Sequence, residues 1–193
     1  MPDASLAQIG ILPCPGGMAF AQKIYAHLEA ITRDKFEERI RSLSRSYQLP
    51  RTEIIRQLNL TSDMMPSSVD FDEPIDQLRT PNNLVPAQYT WFPNGEFKTE
   101  ILSSVRNTDV YVVQDVSNSC PLSFPRTDKP QVLSVNDHIM CLLVTVDAAI
   151  QAGAMQVTAV LPTSPYSRQP KKKGRESLSA APIGQVLECL GVA

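Results

Sequence analysis

The sequence predicts an α/β domain built on a parallel sheet, and three observations predict it. The run Asp109-Val-Tyr-Val-Val-Gln is short, β-branched and aromatic, which suits a buried strand. From Val135 to Ala152 the period changes, with Ile139, Leu142, Leu143, Val146, Ala149 and Ile150 on one helical face. Asp137 falls in the first turn of that helix, where its charge meets the positive end of the dipole. Val157-Thr-Ala-Val-Leu is a second buried strand, closed by Pro162. Strand, helix and strand make a βαβ unit whose strands run parallel and whose crossover is right-handed. Ligands of such sheets bind outside the carboxyl ends of the strands. The segment leaving the second strand carries Arg168, Gln169, Lys171, Lys172, Lys173 and Arg175.

Gln8-Ile-Gly-Ile-Leu is an opening strand that runs into Pro13-Cys-Pro-Gly-Gly, a tight turn, and then a helix with Phe20, Ile24, Leu28 and Ile31 at helical spacing. Gly16-Gly17 before a helix invites comparison with a phosphate cradle, but it fits neither the GxGxxG nor the P-loop pattern, and a plain strand-to-helix turn suffices. Phe36, Ile40, Leu43 and Tyr47 mark a charged amphipathic helix, and Pro50 restarts a shorter one with Ile54, Ile55 and Leu58. With Arg41, Arg45, Arg51 and Arg56 outward, this pair is either a helix-turn-helix reader of DNA or a helical hairpin with solvated arginines. The absence of a turn glycine and the intervening glutamates favour the hairpin. Residues 62–76 are rich in Pro, Ser and acidic side chains, as in a linker. Around Pro93-Asn-Gly, aromatic and alternating residues predict two strands meeting at a turn bracketed by Phe92 and Glu96. Residues 117–134 have no period and read as a long loop, and a last helix carries Ile183, Val186, Leu187 and Leu190 inward before Gly191. The organisation expected is therefore residues 1–31 as the first strand and helix, 32–86 as a helical insertion with an acidic linker, and 87–193 as the rest of the α/β domain.

Composition narrows the function classes. The chain has 193 residues, 42% apolar and 20% charged, which is ordinary for a globular protein able to bury one sizeable core. A net charge of −2 argues against a general nucleic-acid or membrane-surface binder, so the basic segment is a local feature. Cys14, Cys120, Cys141 and Cys189 lack any CxxC spacing and read as reduced thiols, which predicts a cytoplasmic address. No apolar run approaches the length of a membrane span. No metal constellation and no Ser-His-Asp set can be assembled. His27 and His138, the two histidines, both fall on predicted helices, where a structural role is expected. The basic segment puts five positive charges within eight residues at the mouth of a βαβ unit. It can neutralise a polyphosphate, and Arg can grip two oxygens at once; a solvated basic loop is the plainer alternative.

Several short stretches together resemble one family, the ribose-phosphate pyrophosphokinases. They are Phe92-Pro-Asn-Gly-Glu, Ser104-Val-Arg106, Val135-Asn-Asp-His-Ile-Met, Thr158-Ala-Val-Leu-Pro, Tyr166-Ser-Arg-Gln and Arg175-Glu-Ser-Leu-Ser-Ala. The resemblance runs from Tyr89 to Ala193, and residues 9–28 look like the family's opening strand and helix. It implies a phosphoribosyltransferase-like parallel-sheet domain with helices on both faces, plus the inserted helical segment. It also implies transfer of the β,γ-diphosphate of ATP to the C1 hydroxyl of ribose 5-phosphate, with Mg²⁺ as cofactor and a homo-oligomeric assembly. Arg168 and Gln169 match ATP-holding positions, and Lys171 and Lys172 lie where the family places further basic residues. Phe92, Asn94 and Glu96 match a turn that reaches the adenine of ATP bound by a neighbouring subunit. Ser104 and Arg106 match a regulatory phosphate/ADP site. No catalytic residue and no metal ligand is assigned in this sequence.

Two departures accompany the resemblance. Asn94 stands where the family has Asp, and Pro170 stands where an Asp follows Arg-Gln. The family's metal-binding histidine, catalytic loop and ribose-5-phosphate loop are expected beyond Ala193, so the isolated chain is expected to be inactive. The expected function is the ATP-binding N-terminal half of a ribose-phosphate diphosphokinase. The alternative is a non-catalytic subunit that joins or regulates a synthetase oligomer.

Overall fold

The computed structural model describes residues 8–57, 83–125, 127–168, 171 and 174–192. Gln169, Pro170, Lys172, Lys173 and the acidic linker at 62–76 lie outside the described residues. The chain divides into two compact units, residues 1–22 with 84–193, and residues 23–83.

The first unit is a mixed α/β domain. Strands β1 (Gln8–Pro13), β4 (Thr108–Val113) and β5 (Gln156–Val160) form a parallel sheet in the order β1-β4-β5. Leu84 bridges Ile11 in parallel, and the Val85 amide donates to the Ile11 carbonyl at 2.8 Å, so the outer edge of β1 is covered. Strands β2 (Ala87–Trp91) and β3 (Phe97–Ile101) form a separate antiparallel hairpin. The crossover from β4 to β5 is made by helix α3 (Val135–Gln151), which packs on β3, β4 and β5. Its start is set by Ser134: the Asp137 amide donates to the Ser134 hydroxyl at 3.2 Å, and the Ser134 amide donates to the Asp137 carboxylate at 2.8 Å. This reciprocal pair satisfies two amides that the first helical turn cannot.

The main core joins Leu12, Val110, Val112, Leu142, Val146, Val157 and Leu187, the last supplied by helix α4 (Ala180–Cys189). Val112 and Val113, fully buried on β4, are flanked by β1 and β5, as expected of a central parallel strand. A second cluster lies under the hairpin, where Trp91 stacks on Phe124 at 5.8 Å and Phe97 meets Phe124 edge-on at 6.3 Å. The long loop thus supplies an aromatic floor for the hairpin. Between them the Thr99 and Thr145 hydroxyls pair at 2.8 Å, tying the middle of β3 to α3.

Helix α1 (Met18–Tyr47) differs from the expectation of two segments: it continues through Ile31 and Thr32 as one helix of 30 residues. Thr32-Arg33-Asp34 interrupts the apolar pattern, yet none of these is a helix breaker, and Arg33 pairs with Glu29 one turn earlier at 3.4 Å. In the second unit, α1 and α2 (Arg51–Gln57) share a small core of Phe36, Ile40, Ile54 and Ile55. Gln48 turns the chain between them with φ 54°. Helix α2 begins at Arg51, directly after Pro50.

Candidate functional site

The carboxyl edge of the sheet is where three connections leave β1, β4 and β5. The first is the turn Pro15–Gly17. A Cβ on Gly17 would sit 2.1 Å from the Val113 carbonyl oxygen, and one on Gly16 would meet the His138 ring and the Gln114 side chain within 2.8 Å. The glycines are therefore required by close packing of the turn on the next strand, rather than by an anion.

Gln114, the first residue after β4, is fully buried beneath that turn. Its Nε2 donates to the His138 carbonyl at 2.9 Å and lies 3.3 Å from His138 Nδ1. His138 Nε2 is 2.9 Å from the Asn118 carbonyl, which can only accept, so the proton resides on Nε2 and Nδ1 is the acceptor. Asn118 Nδ2 in turn donates to the Gly16 carbonyl at 3.1 Å. Three chain segments are locked together by this network, and His138 is structural, as its helical position suggested. Gln114 Oε1 is buried, faces Gly16 and has no hydrogen-bond partner among the described residues.

Beside this edge a pocket of about 320 Å³ opens between the hairpin tip and α3. Its walls are Trp91, Phe92, Glu96 and Phe97 from the hairpin and Asp137, Met140 and Val144 from one stripe of α3. The tip is shaped by backbone bonds: the Phe92 amide donates to the Glu96 carbonyl at 2.9 Å, and Gly95 takes φ 88°. Asn94 Oδ1 accepts from the Glu96 amide at 3.1 Å, so its side chain shapes the turn. Phe92 and Glu96 remain exposed at the pocket mouth. An aromatic floor with an exposed carboxylate at its rim suits a flat, nitrogen-rich group that offers N–H donors.

The basic segment starts beside the same helix. Pro165 is buried, and the Tyr166 hydroxyl donates to Asn136 Oδ1 in the first turn of α3, next to Asp137 of the pocket wall. Arg168 lies two residues later and is exposed, as is Lys171; neither has an ion-pair partner among the described residues. The structure thus brings Phe92, Asn94 and Glu96 together at one tip. It does not bring Ser104 and Arg106 to them: both precede β4, at the amino edge of the sheet. Arg106 there bridges Ala154, and Gly153 packs against its stem. A strand's length, roughly 17 Å, separates the two edges. Sequence reasoning missed the α3 side of the pocket. Met140 and Val144 carry no local signal of that role, because the hairpin that faces them lies some 45 residues earlier in the chain.

Burial governs the titratable groups next to the site. Desolvation pushes the Cys14 thiol up to about 12, against a smaller opposing hydrogen bond from Thr145. Tyr89, whose hydroxyl donates to the Pro13 carbonyl, and Cys141 are both raised, first by burial and then by the neighbouring Cys14. These thiols are inert packing groups. Among the described residues no set of three His, Cys, Asp or Glu side chains gathers to hold a metal ion. Among the same residues no helix is long and apolar enough to cross a membrane.

Known proteins share this arrangement of sequence. Residues 66–191 match the family model described as the N-terminal domain of ribose phosphate pyrophosphokinase. The chain is 40% identical over 99 residues to ribose-phosphate pyrophosphokinase 5 of Schizosaccharomyces pombe, covering 51% of this chain and 24% of that protein. It is 37% identical over 102 residues to the ribose-phosphate pyrophosphokinase of Gloeobacter violaceus, covering 52% and 26%. The chain thus spans about a quarter of the length of these curated relatives. A crystal structure of phosphoribosylpyrophosphate synthetase from Mycobacterium smegmatis aligns with a TM-score of 0.46 and 31% identity, over 56% of this chain and 32% of that one.

Proposed function

Because this chain belongs to the family of the N-terminal domain of ribose phosphate pyrophosphokinase, we propose that it supplies the ATP-holding part of a ribose-phosphate diphosphokinase. The observation that carries this reading is the pocket at the hairpin tip, with Phe92 and Glu96 at its mouth and the start of the Arg168 segment tied to the same end of α3. In this reading Phe92 covers the adenine ring and the Glu96 carboxylate accepts from its amino group. Arg168 and Lys171, with Gln169 and Lys172 from the same segment, take the phosphates.

The reaction moves a diphosphate: the bond from the β-phosphorus to the α,β-bridging oxygen breaks, a bond from that phosphorus to the C1 oxygen forms, and the hydroxyl proton is released. Such a transfer needs positioning and charge neutralisation more than covalent help, which a cationic segment and an aromatic clamp can supply. Magnesium belongs, in this reading, to the nucleotide complex. Ser104 and Arg106 form a separate phosphate or ADP site, and assembly into a homo-oligomer lets one subunit's hairpin serve its neighbour. Four free cysteines, two of them buried, support residence in a reducing compartment, the cytoplasm.

Isothermal titration of the chain with ATP and Mg²⁺ tests the reading: heat saturating below millimolar nucleotide is expected, and none at millimolar nucleotide would overturn it. A second reading, a non-catalytic partner of a synthetase oligomer, is favoured by Asn94, which stands in place of the family's Asp and whose oxygen is engaged within the turn. Co-purification with a full-length synthetase, without ATP heat, would select it.

A further inference from the structure

Tyr166 adopts φ 55°, a left-handed conformation that a residue with a Cβ rarely takes. Such a residue persists where its surroundings hold it. Two contacts do so here: the preceding Pro165 is buried, and the Tyr166 hydroxyl donates to Asn136 Oδ1. Asn136 is the second residue of α3, and Ser134 and Asp137 cap the same turn reciprocally, so the acceptor sits on a fixed element. The ring is otherwise 42% exposed, so the contact adds little to the core. Its effect falls on the chain immediately downstream. Arg168 lies two residues on, and at most about 7 Å of backbone separates the two.

We propose that Tyr166 is a positioning residue for Arg168. Its hydroxyl moors the start of the basic segment to Asn136 in the first turn of α3, and so fixes where the phosphate-binding arginine stands on the domain. The proposal rests on the nucleotide reading above and names a residue that acts through Arg168, without touching the ligand. The mooring holds the backbone at Arg168 before ligand arrives, which removes that ordering cost from binding. Removing it should therefore affect a ligand with a phosphate tail and spare one without.

The test is a double-mutant cycle on the whole chain, with ATP and adenosine as paired probes. Tyr166→Phe keeps the ring and loses the donor; Asn136→Ala loses the acceptor. Each is expected to weaken ATP binding by about three- to tenfold, the worth of one net hydrogen bond, and the double variant no more than either single. Adenosine affinity should stay unchanged in all three. Wild-type ATP affinity in Tyr166→Phe, losses that multiply in the double variant, or parallel losses for adenosine would each overturn the proposal. If the wild-type chain binds no ATP, the nucleotide reading fails by itself, and amide exchange at Ser167 and Arg168 decides the mooring. Faster exchange in Tyr166→Phe would support it, and unchanged exchange would remove it.

Discussion

Gln114 and His138 close on each other across the carboxyl edge of the sheet. The Gln114 amide donates to the His138 backbone carbonyl at 2.9 Å, and the imidazole holds the Asn118 carbonyl on its far side. Both side chains are fully buried, and among the described residues the His138 ring and the Gln114 amide nitrogen find their partners within this network. His138→Ala should lower unfolding free energy by about 2–4 kcal/mol, combining a cavity with stranded polar groups. Urea denaturation monitored by tryptophan fluorescence would check it, and a loss under about 0.5 kcal/mol, the range of neutral surface changes, would contradict the network.

The glycines make contrasting predictions. Gly17→Ala must push a methyl into the Val113 carbonyl, and a loss of about 3 kcal/mol or failure to fold is expected. Gly184→Ala, in α4, meets nothing within 4 Å and should stabilise by about 0.5–1 kcal/mol. Parallel thermal melts of the two variants would read both signs.

Alkaline pH should destabilise the fold. The buried Cys14 thiol is raised from an ordinary value of 9.0 to about 12, so between these values the unfolded chain has lost a proton that the folded chain keeps. Its contribution is complete below pH 9 and falls as pH rises towards 12. The slope is about 1.4 kcal/mol per pH unit for one such group. Tyr89 and Cys141, raised in the same direction, steepen it. Urea midpoints between pH 8 and 10.5, against a Cys14→Ala control that flattens the profile, provide the measurement. Under native conditions a thiol reagent should label the exposed Cys120 and Cys189 and spare the buried Cys14 and Cys141.

Nucleotide contacts should track the geometry of the two edges. Phe92→Ala and Glu96→Gln are expected to weaken ATP binding about tenfold each while leaving the melting temperature within a degree or two, since both side chains are exposed. Arg106→Ala, at the amino edge, should leave ATP binding at the pocket as it is and weaken phosphate binding elsewhere. Titrations of the three variants with ATP and with inorganic phosphate separate the sites; equal ATP losses for Arg106 and Phe92 would show that one site had been mistaken for two.

The parts of the fold legible in the sequence are those fixed by local period. Strands β4 and β5 and helix α3 start within one residue of the expected positions, because β-branched runs and a one-sided apolar stripe each admit one arrangement. The turn at Pro93-Asn-Gly was equally readable. The features that stayed hidden depend on contacts distant in sequence. Nothing near Gln114 announces that it will meet His138, 24 residues later. Continuity of α1 was obscured by a polar interruption that a long helix tolerates through side-chain pairing along its surface. Of the expected site, Phe92 and Glu96 could be chosen from their short motif, whereas the opposite wall at Met140 and Val144 required the hairpin to be docked first.

The Thr99 and Thr145 hydroxyls, bonded beneath the hairpin, bear on how a ligand would enter. A hairpin pinned at mid-length to a buried helix face is an arm with a fixed elbow. A guest should then load in one bimolecular phase whose observed rate climbs linearly with concentration. A rate that levels off would instead reveal a slow closing step.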